Sequence, residues 1–474
     1  MPREAMGERA AASAATADGA DRADGTRGTV DAPRASPGAV SEDLRERAHR
    51  SIPGGCHTFA KGDDQYPANA PAFIRRGHGC RIEDVEGREY IEYAMGLRSV
   101  TLGHAWPSVV DAAARAMRLG TNFNRPHELE VAAAERFLEL VPSADMVKFT
   151  KDGSSVMTAA VKLARAATGR ELVALCADSP FFSYDDWFIG TTAIDAGIPG
   201  TVKPLSLGFR YNDVGSLETL FAAHPGRIAC VCLEPARLEE PAPGFLERVR
   251  AVCDREGAVM VFDETLTGFR FHRHGAQHLY GVTPDLSCFG KAMANGFSVS
   301  ALAGRRELME LGGLRQTEAD RVFLLSTTHG AESGGLAAAV ETMRIYRDEP
   351  VVEHLHAVGE RLREGFWREA ERAGVTAHVS LEGRGCNLTH GVTGPDGEPS
   401  QAYRTLFLQE LCREGVLAPT FYTSYSHHDH DIDRTVEALA RAFDRHATAL
   451  RIGAEPLLEG PPTASAYRKR NGPR

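Results

Sequence analysis

The sequence predicts an α/β protein: a mixed, mostly parallel sheet covered by helices, followed by a smaller α+β unit. Three observations predict it. Wholly apolar runs of strand length recur at MVKF (146–149), LVALCA (172–177), IACVCL (228–233), AVMVF (258–262) and LSCF (286–289). Helical patterns, SSVMTAAVKLARAATG and FLERVRAVCDREG among them, fall between most of these runs. Strands that are apolar on both faces and alternate with helices imply a parallel sheet buried on both sides. The last third then changes texture, from VVEHLHAVGERLREGFWREAERAG through VTAHVSLEGRGCNLTH to a helix near 431–450.

The elements follow in order. Residues 1–42 are rich in Ala, Gly, Asp and Arg and lack a continuous apolar segment, so they read as a flexible tail without a signal peptide. Ordered structure is expected from near Glu42, where SEDLRERAHRSI reads as a capped helix. Within 43–105, FIRRGHGCRIEDVEGREYIEYA alternates apolar and polar residues about the turn Asp84-Val85-Glu86-Gly87, a strand pair. Beyond 106, WPSVVDAAARAMRLG and HELEVAAAERFLELV carry apolar residues at helical spacing. The expected large unit is 106–335 and the small one 336–455, with 43–105 joining the small one. A basic, Pro-containing end over 456–474 is expected to fray.

A chain of 474 residues exceeds one simple core. Its 43% hydrophobic and 25% charged residues are those of an ordinary globular protein, and a net charge of −10 offers no basic footprint for nucleic acid or anionic membrane. No apolar run approaches the ~18 residues of a membrane span. The nine cysteines include no C-x-x-C pair, which suits free thiols in a reducing cytoplasm better than a disulfide framework.

Ligands of open α/β sheets bind beyond the carboxyl ends of the strands, so the residues that follow each strand carry the information. After MVKF come Thr150-Lys151-Asp152-Gly153-Ser154-Ser155 and a helix. Gly153 permits close backbone approach, and Ser154 and Ser155 add hydroxyls beside free helix N–H groups: a phosphate cradle, or an ordinary helix cap. It is neither a Walker A loop nor GxGxxG. After AVMVF comes Asp263, after IACVCL comes Glu234, and after LSCF come Gly290 and Lys291. Singly these are a cap, a turn and a surface lysine. Together they describe pyridoxal phosphate (PLP) chemistry, which needs a phosphate anchor, an amine that forms an imine, and a carboxylate for the pyridinium nitrogen. Lys291 would hold the cofactor as a Schiff base and then shuttle the substrate proton, and Asp263 would keep the ring nitrogen protonated.

With these residues in hand, the chain resembles the class III (fold type I) aminotransferases, most closely the glutamate-1-semialdehyde 2,1-aminomutase-like branch. VFDETLTGFRF and FGKAMANGF carry the resemblance, supported by LGHAWPSV, KLARAATGR and STTHGAESGGLAAA over about 50–445. The resemblance implies a large PLP domain, a smaller domain built from both termini, and a homodimer with shared active sites. It also implies that Thr328, or Thr327, reaches the partner's cofactor phosphate. Two departures stand out. The family's Ser-Gly-Thr-Glu loop is here Asp152-Gly153-Ser154-Ser155, and its Tyr-His-Gly is replaced within SPFFSYDDWF. Phe182 is expected over the cofactor ring, with Phe181 and Tyr184 as alternatives.

A donor carboxylate calls for arginine. Arg98 and Arg125 are preferred because both lie in loops joining the N-terminal segment to the large unit, and Arg270 is the third candidate. The run His427-His428-Asp429-His430-Asp431 lacks metal-site spacing, and no metal is expected. Three functions follow. The first is an aminotransferase passing an amino group from an amino-acid donor to an aldehyde or ketone by a ping-pong route. The others are a 2,1-aminomutase and a PLP-binding protein without turnover.

Overall fold

A computed structural model describes residues 38–465 and 468. Most of the expected N-terminal tail lies outside these residues. The first helix, Ala39–Ser51, begins a few residues before the expected start.

Seven strands form the main sheet, in the order Met146–Thr150, Ser300–Gly304, Leu286–Phe289, Val259–Asp263, Ile228–Leu233, Leu172–Cys176 and Ser206–Phe209. Only Ser300–Gly304 runs against its neighbours. All five apolar runs are strands of this sheet. The helices Gly153–Thr168 and Phe245–Glu256 bury apolar faces in the same core as the strands Leu172–Cys176, Ile228–Leu233 and Val259–Asp263. Burial of this kind contributes ~25 cal/mol per Å² of apolar surface.

The expected strand pair is a three-stranded antiparallel sheet, Ile74–His78, Arg81–Asp84 and Glu89–Glu92, extended by Val416–Leu417 in parallel with Glu89–Glu92. Its hairpin turns at the expected place. Asp84 accepts the backbone N–H groups of Glu86 and Arg88, and Gly87 takes φ 84°, a value that glycine adopts without penalty. A second core then joins Ile91 and Tyr93 to the helices Val351–Arg372, Gln401–Arg413 and Asp429–Ile452. The N-terminal segment and the C-terminal unit therefore share one interior.

Two boundaries differ from expectation. The small unit is expected to open at 336, which falls inside the helix Ser333–Asp348. That helix packs instead with Val109, Phe137 and Met293 of the large unit, so the boundary lies near 350. The segment after 456 does not fray at once. Thr463 is buried, and its N–H donates to Thr405 Oγ1 at 2.8 Å. The run His427–Asp431 is a helix start: His428 and Asp431 form a reciprocal cap on Asp429–Ile452. Among the described residues no helix is long and apolar enough to cross a membrane.

Candidate active site

The strand Val259–Asp263 ends on Asp263, which is buried at 3% exposure. Its Oδ1 accepts from Thr265 N (2.9 Å) and Thr265 Oγ1 (2.5 Å), and Oδ2 makes no hydrogen bond among the described residues. Burial pushes the Asp263 carboxyl above its usual range, opposed by Thr265 and by the Lys291 charge.

Lys291 opens the turn that follows the neighbouring strand, Leu286–Phe289. Its φ of 43° lies in the left-handed region, which side-chain-bearing residues rarely adopt. Asn295, itself at φ 44°, pins this turn by accepting from Leu102 N (2.8 Å) and donating to Gly103 O (3.0 Å). Strain held by surrounding contacts is typical of functional positions. Burial lowers the Lys291 pKa, and Arg98 lowers it further, while Asp263 and Glu234 act the other way.

Thr265 is the hub. A Cβ at position 153 would come within 3.1 Å of its methyl group. One at position 290 would lie 3.7 Å from the same methyl and 2.8 Å from Ser300 Oγ. Glycine at both positions thus brings the Gly153 loop, Asp263 and the Lys291 turn together. In the loop, Asp152 caps the helix Gly153–Thr168, accepting from Ser155 N (2.8 Å) and Ser155 Oγ (2.9 Å). Ser155 has therefore spent its donors. The N–H groups of Gly153 and Ser154, in the first helical turn, and the Ser154 hydroxyl are left for an anion. Ser154 Oγ also accepts from Tyr184 N at 3.2 Å.

Glu234 ends the strand Ile228–Leu233 and is pushed up to about 7, first by burial and then by Asp263. Arg237 Nε stands 3.6 Å from its carboxylate. Arg98 joins this cluster from the N-terminal segment. Its Nε donates to Asn387 Oδ1 (2.9 Å), its Nη2 donates to the Tyr422 hydroxyl, and its guanidinium carbon lies 3.8 Å from the Tyr422 ring centre.

Other expected residues lie elsewhere. Arg125 is exposed and lines a cavity of about 230 Å³ with Asn122, His127, Thr327, Thr328 and Ser333, and it has no contact with the Lys291 cluster. Thr328 is likewise exposed, and its carbonyl accepts from Asn122 Nδ2 at 3.0 Å. Arg270 is fully buried and bonded to backbone carbonyls and Thr101, so it cannot grip a substrate. The expectation for Phe182 fails. At 2% exposure it is locked in the main core, edge-on to Phe188, and a ring facing a cofactor space would show far more surface. Phe181 (41%) and Tyr184 (59%) stay accessible. Glu264 is also structural: it accepts from Ala276 N and Gln277 N and starts the helix Ala276–Tyr280. The sequence reading missed Asn387 and Tyr422. They meet Arg98 across 289 and 324 residues, beyond the reach of any local pattern.

A buried carboxylate with one free oxygen, a lysine at the adjacent strand end and a helix N-terminus cleared by glycine fit pyridoxal phosphate. The fold and this site define a PLP enzyme with its lysine and aspartate on neighbouring strands. Residues 63–443 match the family model described as aminotransferase class-III, and the chain belongs to that family. It is 33% identical over 425 residues to a glutamate-1-semialdehyde 2,1-aminomutase of Syntrophobacter fumaroxidans, covering 85% of this chain and 96% of the relative. It is 31% identical to a 3-aminobutyryl-CoA aminotransferase of Cloacimonas acidaminovorans, covering 85% and 97%. Among solved structures, the PLP internal aldimine form of the FumI protein of Sphingopyxis sp. MTA144 aligns with TM-score 0.79 at 31% identity, covering 86% of this chain and 97% of that one. An omega-transaminase of Sphaerobacter thermophilus aligns with TM-score 0.77 at 27% identity, covering 87% and 98%. The cofactor of the family is PLP, and the fold is that of fold type I transaminases.

Proposed function

We propose that this chain moves an amino group from an amino-acid donor to an aldehyde or ketone acceptor in two successive half-reactions. The observation that carries this reading is the meeting of Lys291, Asp263 and Gly153 around Thr265. PLP, when bound, supplies a carbonyl that combines with amines and a ring that accepts the electron pair left by a departing proton. Lys291 would hold the cofactor through its amine and, once freed, would take the proton from substrate Cα. Burial lowers its pKa, which favours the neutral amine that can take that proton. Thr265 fixes Asp263 Oδ1, so Oδ2 would be the oxygen that holds the ring N–H.

Gly153 and Ser154 meet the phosphate through backbone N–H groups and the Ser154 hydroxyl, with Ser155 supporting Asp152 behind them. Phe181 takes the ring face in place of Phe182, and Glu234 walls the site. Arg98 receives the donor carboxylate. The exposed Leu119, Phe123 and Val131 near the Arg125 cavity support a homodimer, in which Thr328 and Arg125 serve the partner's site. Eight buried free cysteines suit a reducing cytoplasm.

The test is the absorbance spectrum of wild type and Lys291→Ala with PLP, before and after adding glutamate or another donor. A visible band that borohydride fixes onto Lys291, and that the donor converts to the aminated cofactor, is expected. No chromophore in wild type, even with added PLP, overturns the proposal. The names of several relatives favour 2,1-aminomutation as a second reading. The two separate on product: transfer leaves a keto acid from the donor, whereas aminomutation moves the amine within one molecule and releases none.

A further inference from the structure

We propose that Asn387, Tyr422 and Arg270 are positioning residues that fix Arg98 in a single pose and so set the enzyme's preference for carboxylate-bearing donors. The inference rests on the reading of Arg98 as the carboxylate partner. Arg98 lies at φ 73°, after Gly96 and Leu97 at φ 58° each, so its backbone takes an unusual path that something must hold. Three contacts hold its side chain: Asn387 Oδ1 on Nε, the Tyr422 hydroxyl on Nη2, and the Tyr422 ring against the guanidinium plane. Asn387 and Tyr422 are themselves buried, at 2% and 5% exposure. Nη1 has no protein partner among the described residues and is the donor left for a ligand.

Arg270 ties these pieces from beneath. Its Nη1 donates to Cys386 O (2.9 Å) and Thr423 O (3.1 Å), the carbonyls beside Asn387 and Tyr422. Its Nη2 donates to the carbonyl of Arg98 itself (3.3 Å) and to Thr101 Oγ1 (3.0 Å). One planar guanidinium thus registers three segments that are distant in the chain and together carry the Arg98 pose. Arg270 is fully buried and has no carboxylate partner among the described residues. A buried cation without a counter-charge, beneath a second cation with a free N–H, leaves the site poised for an anion.

The experiment uses PLP-loaded Asn387→Ala, Tyr422→Phe and Arg270→Lys. It measures the Kd of glutarate, an unreactive dicarboxylate, by intrinsic fluorescence. It also measures the donor half-reaction with an amino acid and with a primary amine lacking a carboxylate. Loss of one charge-assisted bond should raise the glutarate Kd and the amino-acid KM about tenfold. Turnover should stay within about threefold, and the KM for the simple amine should not move. Arg270→Lys should lower Tm and show the same carboxylate-selective rise. Unchanged glutarate affinity in both Asn387→Ala and Tyr422→Phe, or an equal rise for the simple amine, overturns the proposal. A fall in Tm without the selective rise removes Arg270 from it. Failure of the underlying reading shows separately, as unchanged amino-acid KM in Arg98→Ala.

Discussion

Around Lys291 the protein buries two carboxylates, Asp263 and Glu234, and a cation, Arg270, whereas the C-terminal unit buries His390 and His446 with no carboxylate against either among the described residues. In the first region Lys291 feels both carboxylates and the cations Arg98 and Arg270, and the backbone is held in left-handed conformations at Arg98, Lys291 and Asn295. In the second, burial pushes both imidazoles down to about 4, and they sit neutral in an apolar interior. Among the described residues His390 has one bond, to Ala418 O at 3.0 Å, and His446 has no hydrogen bond on either nitrogen. The difference teaches where free energy is held. The strand ends keep buried charge and left-handed backbone, and the C-terminal core avoids charge by deprotonation.

Lys291→Ala is the largest expected break of this contrast. If the Lys291 amine carries the substrate proton as proposed, its removal should lower kcat by ~10³ or more. The cofactor-free Tm should hold or rise, because the change removes a buried amine that folding must desolvate. A fall in apo Tm of more than about 5 °C would mean that the cluster is held for stability, and the comparison would lose its first half.

Next in size is the aromatic pair. Phe182→Ala deletes a core ring packed against Phe188 and should cost about 3–5 kcal/mol in urea unfolding. Phe181→Ala removes a side chain with 41% exposure and should cost under about 1 kcal/mol while weakening PLP binding. The reverse pattern would return the ring contact to Phe182.

This pair also marks the limit of what the sequence discloses. The five strands announced themselves through apolar runs, and Asp263, Lys291 and Gly153 stood out because each follows such a run. Ser300–Gly304 did not, since SALAG sets a single leucine among four small residues with little strand preference. In SPFFSYDDWF the two phenylalanines are adjacent, so only the local backbone decides which one enters the core. The helix Ser333–Asp348 did not stand out as a helix, and no local pattern tells which unit receives its apolar face. Asn387 and Tyr422 carry no motif, and only tertiary folding brings them to Arg98.

The smallest effects, and the sharpest test of the comparison, lie in pH. The Glu234 carboxyl sits at about 7 against an ordinary 4.5, so folding favours its protonated form. Its contribution to stability is full below about 4.5 and is lost as pH rises through 7. Glu234→Gln should therefore match wild type near pH 4 and gain up to about 3 kcal/mol at pH 8 in cofactor-free protein. His446 runs the other way. Its pKa is depressed from 6.5 to about 4, so its contribution is full above 6.5 and is lost as pH falls through 4. His446→Phe keeps the ring volume and should match wild type at pH 8, then gain about 2 kcal/mol near pH 4. Urea midpoints between pH 4 and 8 for both variants measure these opposite slopes. Profiles parallel to wild type in both would show that neither burial is felt in folding. A slope in His446→Phe alone would confine the ionisation cost to the C-terminal core and leave Glu234 an ordinary carboxylate.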